Sequence, residues 1–369
     1  MDFTLSDERR MLQEGLRRYV ARSVGSHGAA DDAALWLGLA EMGVIGALFA
    51  EADGGFGGAG FDLAVVFEEM GRAGAVAPLL ETGILGGGLV AATGRSRRRD
   101  LLDAVIAGRC QLALAHGEPA ARYDLSHVET RVEGRDGGYE ITGRKSVVAN
   151  APAAGHLVVS ARSAGEVADE GGLDLFLLPR GLAGVEMHAA PMLGGGHCAE
   201  ILLDAVRVGP EARLGPEGGA FAALETARVR AVLGICAEAL GLMEAIKALT
   251  ADHLRTRRQF GQPIGKFQAL QHRMADLMIG IEQSRSAVIN LASHLDGPRD
   301  LRERHVSASK VLIGETGQRV AEESIQMHGG IGMTRDYALG HLAKRLIAAG
   351  HRFGDAMFYL ERFIGLSVA

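Results

Sequence analysis

The chain has 369 residues, 47% of them hydrophobic, and carries a formal net charge of -6 at pH 7. This length allows two or three packed units, and the acidic balance excludes a protein that binds nucleic acid by charge. Residues 1–20 lack the apolar core of a signal peptide, and no run approaches the roughly 18 apolar residues that cross a bilayer, so we expect a cytoplasmic protein with no membrane contact.

Residues 1–107 predict an all-α N-terminal domain. Ser6 is a suitable N-cap for the first helix, because two acidic residues follow it in the first turn. Residues 36–42 predict a second, apolar helix. The glycine-rich stretch at 51–62 predicts a loop and not a phosphate-binding turn, because no Lys-Ser or Lys-Thr pair follows its glycines.

Residues 108–214 predict a middle β domain. Short runs with period-two alternation are separated there by turns rich in Gly, Asp, Pro and Ala, and no helical segment lies between them. The strand-length runs are QLALAH, HVETRVE, GYEITGRKSVVANA, HLVVSAR, LDLFLLP and AEILLDAVRV. This pattern predicts an antiparallel barrel or sandwich.

Residues 215–369 predict a C-terminal four-helix bundle. Their apolar side chains recur at spacings of three and four residues over segments well above the average helix length. The expected helices are 218–256, 266–296, 301–328 and 338–364. Together the three regions predict an α+β multidomain fold.

The cysteines do not indicate a chemical role. Cys110, Cys198 and Cys236 are odd in number and share no metal-ligand spacing. We expect buried, reduced thiols and no metal site.

Arginines cluster in RTRRQFGQPIGKFQALQHRMAD, residues 255–276. By themselves Arg255, Arg257 and Arg258 fit a solvated helix end, where positive charge complements the helix dipole. A second stretch, QMHGGIGMTRDY at 326–337, ends another predicted bundle helix, and its glycines permit close backbone approach. Because arginines can neutralise a pyrophosphate, two such elements on one bundle indicate a dinucleotide site.

These stretches resemble the acyl-CoA dehydrogenase family, whose members carry TRxQFGxPI and QxxGGxG at this separation. The resemblance covers the whole chain, and GYEITGRKSVVANA stands in place of the family's I-x-G-x-K-x-W-I-T-N strand. It implies that family's fold, FAD as cofactor, an acyl-CoA substrate and an electron-transfer flavoprotein as electron acceptor. It also implies at least a dimer, and a tetramer in many members, because a neighbouring subunit supplies part of each FAD site.

The resemblance assigns cofactor contacts to residues of the two stretches. It implies that the arginine stretch touches the pyrophosphate and adenosine part of a FAD held mainly by the dimer mate, with the glycine stretch beside the same group. The residues so assigned are Arg257, Gln259, Phe260, Gln268, Gln326, Gly329 and Gly330.

The family's catalytic glutamate has no counterpart at either of its usual places. In the family a carboxylate removes the α-proton of the acyl thioester. The two corresponding positions are Phe353 and Ala231, neither of which can act as a base. Asp355 is the candidate substitute, although an aspartate directly after a glycine favours an N-cap for the last helix.

Positions that face the flavin ring in the family also differ. Leu114, Ala115 and His116 stand where the family has V-T-E, and Val147 and Ala149 stand where it has tryptophan and threonine. Two hydroxyls that would bond the flavin edge are therefore missing. These losses indicate a degenerate pocket.

Three hypotheses follow from the resemblance. The first is a weakly catalytic or non-catalytic subunit of a heterotetramer, whose homologous larger subunit brings the glutamate; such pairs act on steroid side chains and on dicarboxylic or aromatic-derived acyl-CoAs. The second is a self-sufficient homotetrameric dehydrogenase that uses Asp355. The third is a flavin-dependent oxidase or monooxygenase on the same fold.

Overall fold

The computed structural model describes residues 5–24, 32–94 and 98–368. The chain forms two compact units. The helical unit comprises Met1–Leu35, Ala59–Val76 and Val232–Ala369, and the sheet unit comprises Trp36–Gly58 and Ala77–Ala231. The division into domains 1–107, 108–214 and 215–369 stays a prediction, because the compact units interleave segments of the chain.

The first region is helical, as predicted. Ser6 caps α1, since its Oγ accepts from the backbone N–H of Arg9 at 3.4 Å. Residues 51–59 are a loop with one short 3₁₀ turn, Glu51–Asp53, and the last three residues of the predicted loop, 60–62, already belong to the next helix. The described helices are α1 Asp7–Ser23, α2 Asp32–Glu41, α3 Gly60–Ala73, a π-helix Leu79–Gly87, α4 Gly88–Gly94 and α5 Arg99–Ile106.

The sheet unit contains an eight-stranded sheet whose strands follow the order β6-β7-β3-β2-β4-β5-β8, with β1 paired to β4. The strands are β1 Leu112–Ala115, β2 Arg131–Arg135, β3 Gly138–Ala149, β4 His156–Arg162, β5 Leu173–Pro179, β6 Val185–Pro191, β7 His197–Val208 and β8 Arg213–Leu214. Most pairings are antiparallel, as predicted, but β1 and β2 each run parallel to β4. Strand β6 was not predicted, because only Val185 and Met187 alternate toward the core, both are half-buried, and the rest of the strand is exposed.

Five helices follow the sheet. They are α6 Phe221–Thr256, α7 Gln268–Ser293, α8 Arg299–His328, α9 Ala338–His351 and α10 Ala356–Val368. The prediction of a single helix over 338–364 is wrong. The chain turns between α9 and α10, where Phe353 has a φ of 56° and Gly354 a φ of 127°, values that no continuous α-helix contains.

The fold class predicted from the sequence is confirmed, with helices at both ends of the chain and a sheet in the middle. No helix within residues 5–24, 32–94 and 98–368 combines the length and the apolar character needed to cross a bilayer.

Candidate functional site

The arginine stretch forms a small hairpin directly after α6. We call residues 257–263 the arginine hairpin; in it β9 Arg258–Gln259 pairs with β10 Gln262–Pro263. The two turn residues, Phe260 and Gly261, have φ values of 52° and 78°. Positive φ at both central positions is the signature of a type I′ turn, which matches the twist of a two-stranded ribbon.

The turn projects an aromatic ring into solvent. The Phe260 side chain is 89% exposed, although a positive φ at a residue with a bulky side chain costs about 1–2 kcal/mol. Its ring lies 6.1 Å from that of Phe267, at an interplanar angle of 86°. Strained residues of this kind concentrate at binding sites, where a partner uses the orientation that the strain enforces.

Positive charge surrounds this turn. Arg255, Arg257 and Arg258 are all exposed, and Arg258 Nη2 donates to the carbonyl of Gly261 at 3.1 Å. The Arg257 carbonyl accepts from the backbone N–H of Ile264 at 2.9 Å, which fixes the start of the hairpin. Fixed backbone with exposed guanidinium groups suits an external anion.

The second stretch forms a turn at the end of α8. We call Gly329–Met333 the glycine turn; it is a 3₁₀ segment whose first residue has a φ of 67°. A Cβ built on Gly329 or Gly330 would meet no atom within 4 Å, so open space lies beside both residues. The backbone here is accessible to a group that approaches from outside.

A histidine stack joins the helices that carry the two segments. The rings of His253 on α6 and His328 on α8 lie 4.4 Å apart at 23°. His328 Nδ1 donates to the Ser324 carbonyl at 2.8 Å, so its neutral ring accepts at Nε2 from the Tyr337 hydroxyl at 3.2 Å. The arginine hairpin and the glycine turn therefore begin at neighbouring helix ends.

The remaining cofactor candidates are on the same unit. Gln259 is exposed in β9, Gln268 is the exposed first residue of α7, and Gln326 is exposed in the last turn of α8. All seven predicted cofactor residues thus belong to the helical unit. Their contacts with FAD stay a prediction.

Asp355 has a structural contact of its own. Its Oδ1 accepts from the backbone N–H of Phe358 at 2.9 Å, the bond of an N-cap for α10. The preceding turn is held from two sides: Tyr359 donates its hydroxyl to the Phe353 carbonyl at 2.8 Å, and Lys310 Nζ donates to the Arg352 carbonyl at 3.0 Å. Burial lowers the pKa of Lys310 to about 8. A catalytic role for Asp355 stays a prediction.

The two positions that the resemblance assigns to the family's glutamate carry apolar side chains in different settings. Ala231 is fully buried in α6. Phe353 lies in the turn after α9 with a left-handed backbone. Neither side chain has a group that can accept a proton, so neither residue can act as the base.

The positions that the resemblance places against the flavin ring lie at the end of β3 and on or directly after β1. Val147 occupies a bulge in β3 with a φ of 51°, and its side chain is 64% exposed. Its backbone N–H donates to Glu200 Oε1 at 3.3 Å. A β-branched residue rarely adopts this conformation, and bulges re-aim side chains next to binding sites.

His116 belongs to a buried polar cluster that the sequence analysis did not identify. Its Nδ1 lies 2.9 Å from Ser160 Oγ, and the buried Lys145 Nζ lies 2.6 Å from Glu118 Oε1. Burial and the Lys145 charge lower the pKa of His116 to about 4. A neutral, hydrogen-bonded His116 is a structural residue near pH 7 and not a proton donor.

Within the part of the chain that the structure describes, no three His, Cys, Asp or Glu side chains are grouped so that they could hold a metal ion.

Family models match three consecutive segments of the chain. Residues 6–109 match "Acyl-CoA dehydrogenase, N-terminal domain", residues 113–206 match the middle domain and residues 221–349 match the C-terminal domain. Isovaleryl-CoA dehydrogenase of Oryza sativa is 28% identical over 92% of this chain and 86% of its own length. The 3-sulfinopropanoyl-CoA desulfinase of Paraburkholderia xenovorans is 26% identical over 93% of this chain and 91% of its own.

Solved structures with a similar fold cover nearly the whole chain. A variant of the steroid ACAD Tcur3481-Tcur3483 is 30% identical with a TM-score of 0.86, covering 99% of both chains. The ChsE4-ChsE5 complex of Mycobacterium tuberculosis is 25% identical with a TM-score of 0.88, covering 100% of this chain and 99% of the other. Butyryl-CoA dehydrogenase of Megasphaera elsdenii has a TM-score of 0.91 at 24% identity, covers 100% of both chains, and shows the fold alone.

Proposed function

Because the chain belongs to the acyl-CoA dehydrogenase family of FAD-dependent oxidoreductases, which act on CH–CH bonds, we propose that it is one subunit of a heteromeric acyl-CoA dehydrogenase. The other, homologous subunit carries the catalytic glutamate. One observation carries this proposal: the residues that the resemblance assigns to the nucleotide are present, while the two positions that it assigns to the glutamate hold the apolar residues Ala231 and Phe353.

The helical unit fits one half of FAD. Exposed guanidinium groups on the arginine hairpin suit the two phosphates, and open backbone at Gly329 and Gly330 permits their close approach. Bound FAD would supply the acceptor for the hydride that leaves the β-carbon of the acyl group. The residues that would hold its pyrophosphate and adenosine are Arg257, Gln259, Phe260, Gln268, Gln326, Gly329 and Gly330.

The other half of the family's site is weakened in this chain. Loss of a general base costs about 10²- to 10⁴-fold in rate. His116 is a poor replacement, since burial and the Lys145 charge lower its pKa to about 4, and so weak a base accepts a proton poorly near pH 7. An assembly in which a partner supplies the base, and this chain supplies contacts to the partner's FAD, avoids that loss.

Two of the similar structures support a partnership of unlike chains. The ChsE4-ChsE5 complex and the steroid ACAD Tcur3481-Tcur3483 each carry a pair of names. The second name also supports a steroid acyl-CoA as the first substrate to test. An electron-transfer flavoprotein is the proposed electron acceptor.

Co-expression with a homologous dehydrogenase that carries the glutamate tests the proposal. We expect little FAD on the chain purified alone, and full FAD content with acyl-CoA dehydrogenation in the complex. Arg257→Ala should weaken FAD binding by about 10- to 100-fold, because a hydrogen bond to a charged group contributes about 1.5–3 kcal/mol. A yellow, active protein obtained without any partner would contradict the proposal.

A further inference from the structure

The histidine stack lies between the two segments that face the proposed nucleotide. The Arg257 backbone N–H donates to the His253 carbonyl at 2.9 Å, so His253 lies one helical turn before the arginine hairpin. His328 is the last residue of α8 and directly precedes the glycine turn. A shift of either ring therefore moves the start of one segment relative to the other.

The stack is well fixed on the α8 side. His328 is 6% exposed and is bonded at both ring nitrogens, to the Ser324 carbonyl and to the Tyr337 hydroxyl. The His328 and Tyr337 rings also lie 5.3 Å apart at 54°. His253 is the more accessible partner, and it packs its face onto this immobile ring.

The charges around the stack favour two neutral rings. Burial, and then the neighbouring His328 and Arg257, lower the pKa of His253, while Asp252 acts in the opposite direction. The pKa of His328 is also lowered, because the effect of burial outweighs the opposite effect of hydrogen bonds to the Ser324 and Leu249 backbone. Neutral rings pack face to face without the repulsion that two imidazolium ions would feel.

We propose that the His253–His328 stack is a positioning device that sets the spacing between the arginine hairpin and the glycine turn for one pyrophosphate. This inference rests on the proposed function. Two segments that must bind one rigid group bind it more tightly when their separation is fixed beforehand, because less conformational freedom is lost on binding. The histidines themselves are positioning residues and contact neither substrate nor reacting atoms.

A second histidine pair in the same unit provides a matched control. The rings of His294, the C-cap residue of α7, and His305 on α8 lie 3.9 Å apart at 27°, a stack of the same kind. His305 is near the start of α8 and His328 at its end, about 35 Å apart at 1.5 Å per residue. Removing the control stack therefore removes the same kind of ring contact, but far from the proposed nucleotide.

The experiment measures the dissociation constant of FAD for the full-length chain in its co-expressed complex. We expect His253→Ala to raise the FAD dissociation constant about 3- to 10-fold, which corresponds to losing the interaction energy of one well-packed aromatic pair. His253→Phe, which keeps a flat ring, should restore it to within about twofold of wild type. His294→Ala should leave it unchanged, even where both alanine variants lower the melting temperature equally.

The outcomes separate this inference from the proposed function. If His253→Ala and His294→Ala change the FAD dissociation constant equally, or if His253→Phe fails to restore it, the positioning role is overturned while Arg257→Ala still weakens binding. If Arg257→Ala also leaves FAD binding unchanged, the proposed function fails and the positioning role fails with it.

Discussion

At the scale of the residue, Asp355 combines an N-cap contact with a position two residues after Phe353, which the resemblance aligns with the family's glutamate. Asparagine caps helices as well as aspartate does, so Asp355→Asn removes the carboxylate and keeps the cap. We expect the variant complex to keep its dehydrogenase rate within about twofold. Asp355→Ala should cost about 1 kcal/mol in the free energy of unfolding. A 10²-fold or greater loss of rate with Asp355→Asn would instead support the self-sufficient enzyme.

Lys145 offers a second prediction at this scale. The Lys145–Glu118 pair is buried on both sides, at 0% and 2% side-chain exposure, and Thr130 Oγ1 also donates to the same carboxylate oxygen. Lys145→Met leaves a buried carboxylate without its cation, which typically costs about 3–5 kcal/mol. Its neighbour Arg144 forms an exposed pair with Glu200, so Arg144→Met should cost about 0–1 kcal/mol. Urea unfolding of both variants measures the difference, and equal midpoints would contradict it.

The cofactor candidates and the histidine stack differ in how much the sequence reveals. The arginine and glycine stretches are continuous motifs, so their residues could be named before the structure was known. The stack joins His253 to His328 on separate helices, and two single histidines without a shared motif do not predict a contact. The buried pair of Glu118 and Lys145 was missed for the same reason.

At the scale of the element, the turn between α9 and α10 marks where hydrophobic periodicity misleads. Apolar residues continue at helical spacing through 338–364, so periodicity predicts one helix. The helix breaks because Phe353 and Gly354 have positive φ values and Asp355 caps the next helix. These are local backbone features, and they leave the spacing of apolar residues unchanged. Strand β6 was missed for a different reason: only two of its side chains, Val185 and Met187, alternate toward the core, which is too short a period-two signal to detect.

Gly354 gives the prediction for this turn. Its φ of 127° is rarely adopted by a residue with a side chain, and a Cβ there would lie 2.5 Å from the Tyr359 ring. Gly354→Ala should therefore destabilise the protein by about 2–5 kcal/mol, from backbone strain and overpacking together. Gly350→Ala in α9, where a Cβ meets nothing within 4 Å, should be neutral or stabilise by up to about 1 kcal/mol. Similar denaturant midpoints for the two variants would contradict the account of the turn.

At the scale of the whole molecule, ion pairs link several helices of the helical unit. Arg285 on α7 bonds Glu68 of α3 at 3.1 Å and Glu244 of α6 at 2.7 Å. Lys247 adds a contact of 2.6 Å to Glu244. Burial would raise the pKa of Glu244, but Lys247, Arg285 and Arg72 outweigh it and the pKa is lowered. These ion pairs therefore join α3, α6 and α7, which are three separate segments of the chain.

The pH dependence of stability follows from that shift. A carboxyl group whose pKa is lower in the folded than in the unfolded protein contributes stability that is complete above its unfolded pKa, about 4.3. That contribution falls as the pH decreases toward the lowered folded value. We expect the urea midpoint to decline below about pH 5, and Glu244→Gln to flatten part of the decline. An identical pH profile for the variant and the wild type would exclude Glu244 as a source.

The type I′ turn of the arginine hairpin has a consequence for the cell. It holds the Phe260 ring almost wholly in water, where nothing within the same protomer covers more than a small part of it. In the heteromeric assembly proposed above, every copy of this chain made in excess over the other subunit keeps that ring in water. Balanced synthesis of the two polypeptides limits the number of such copies.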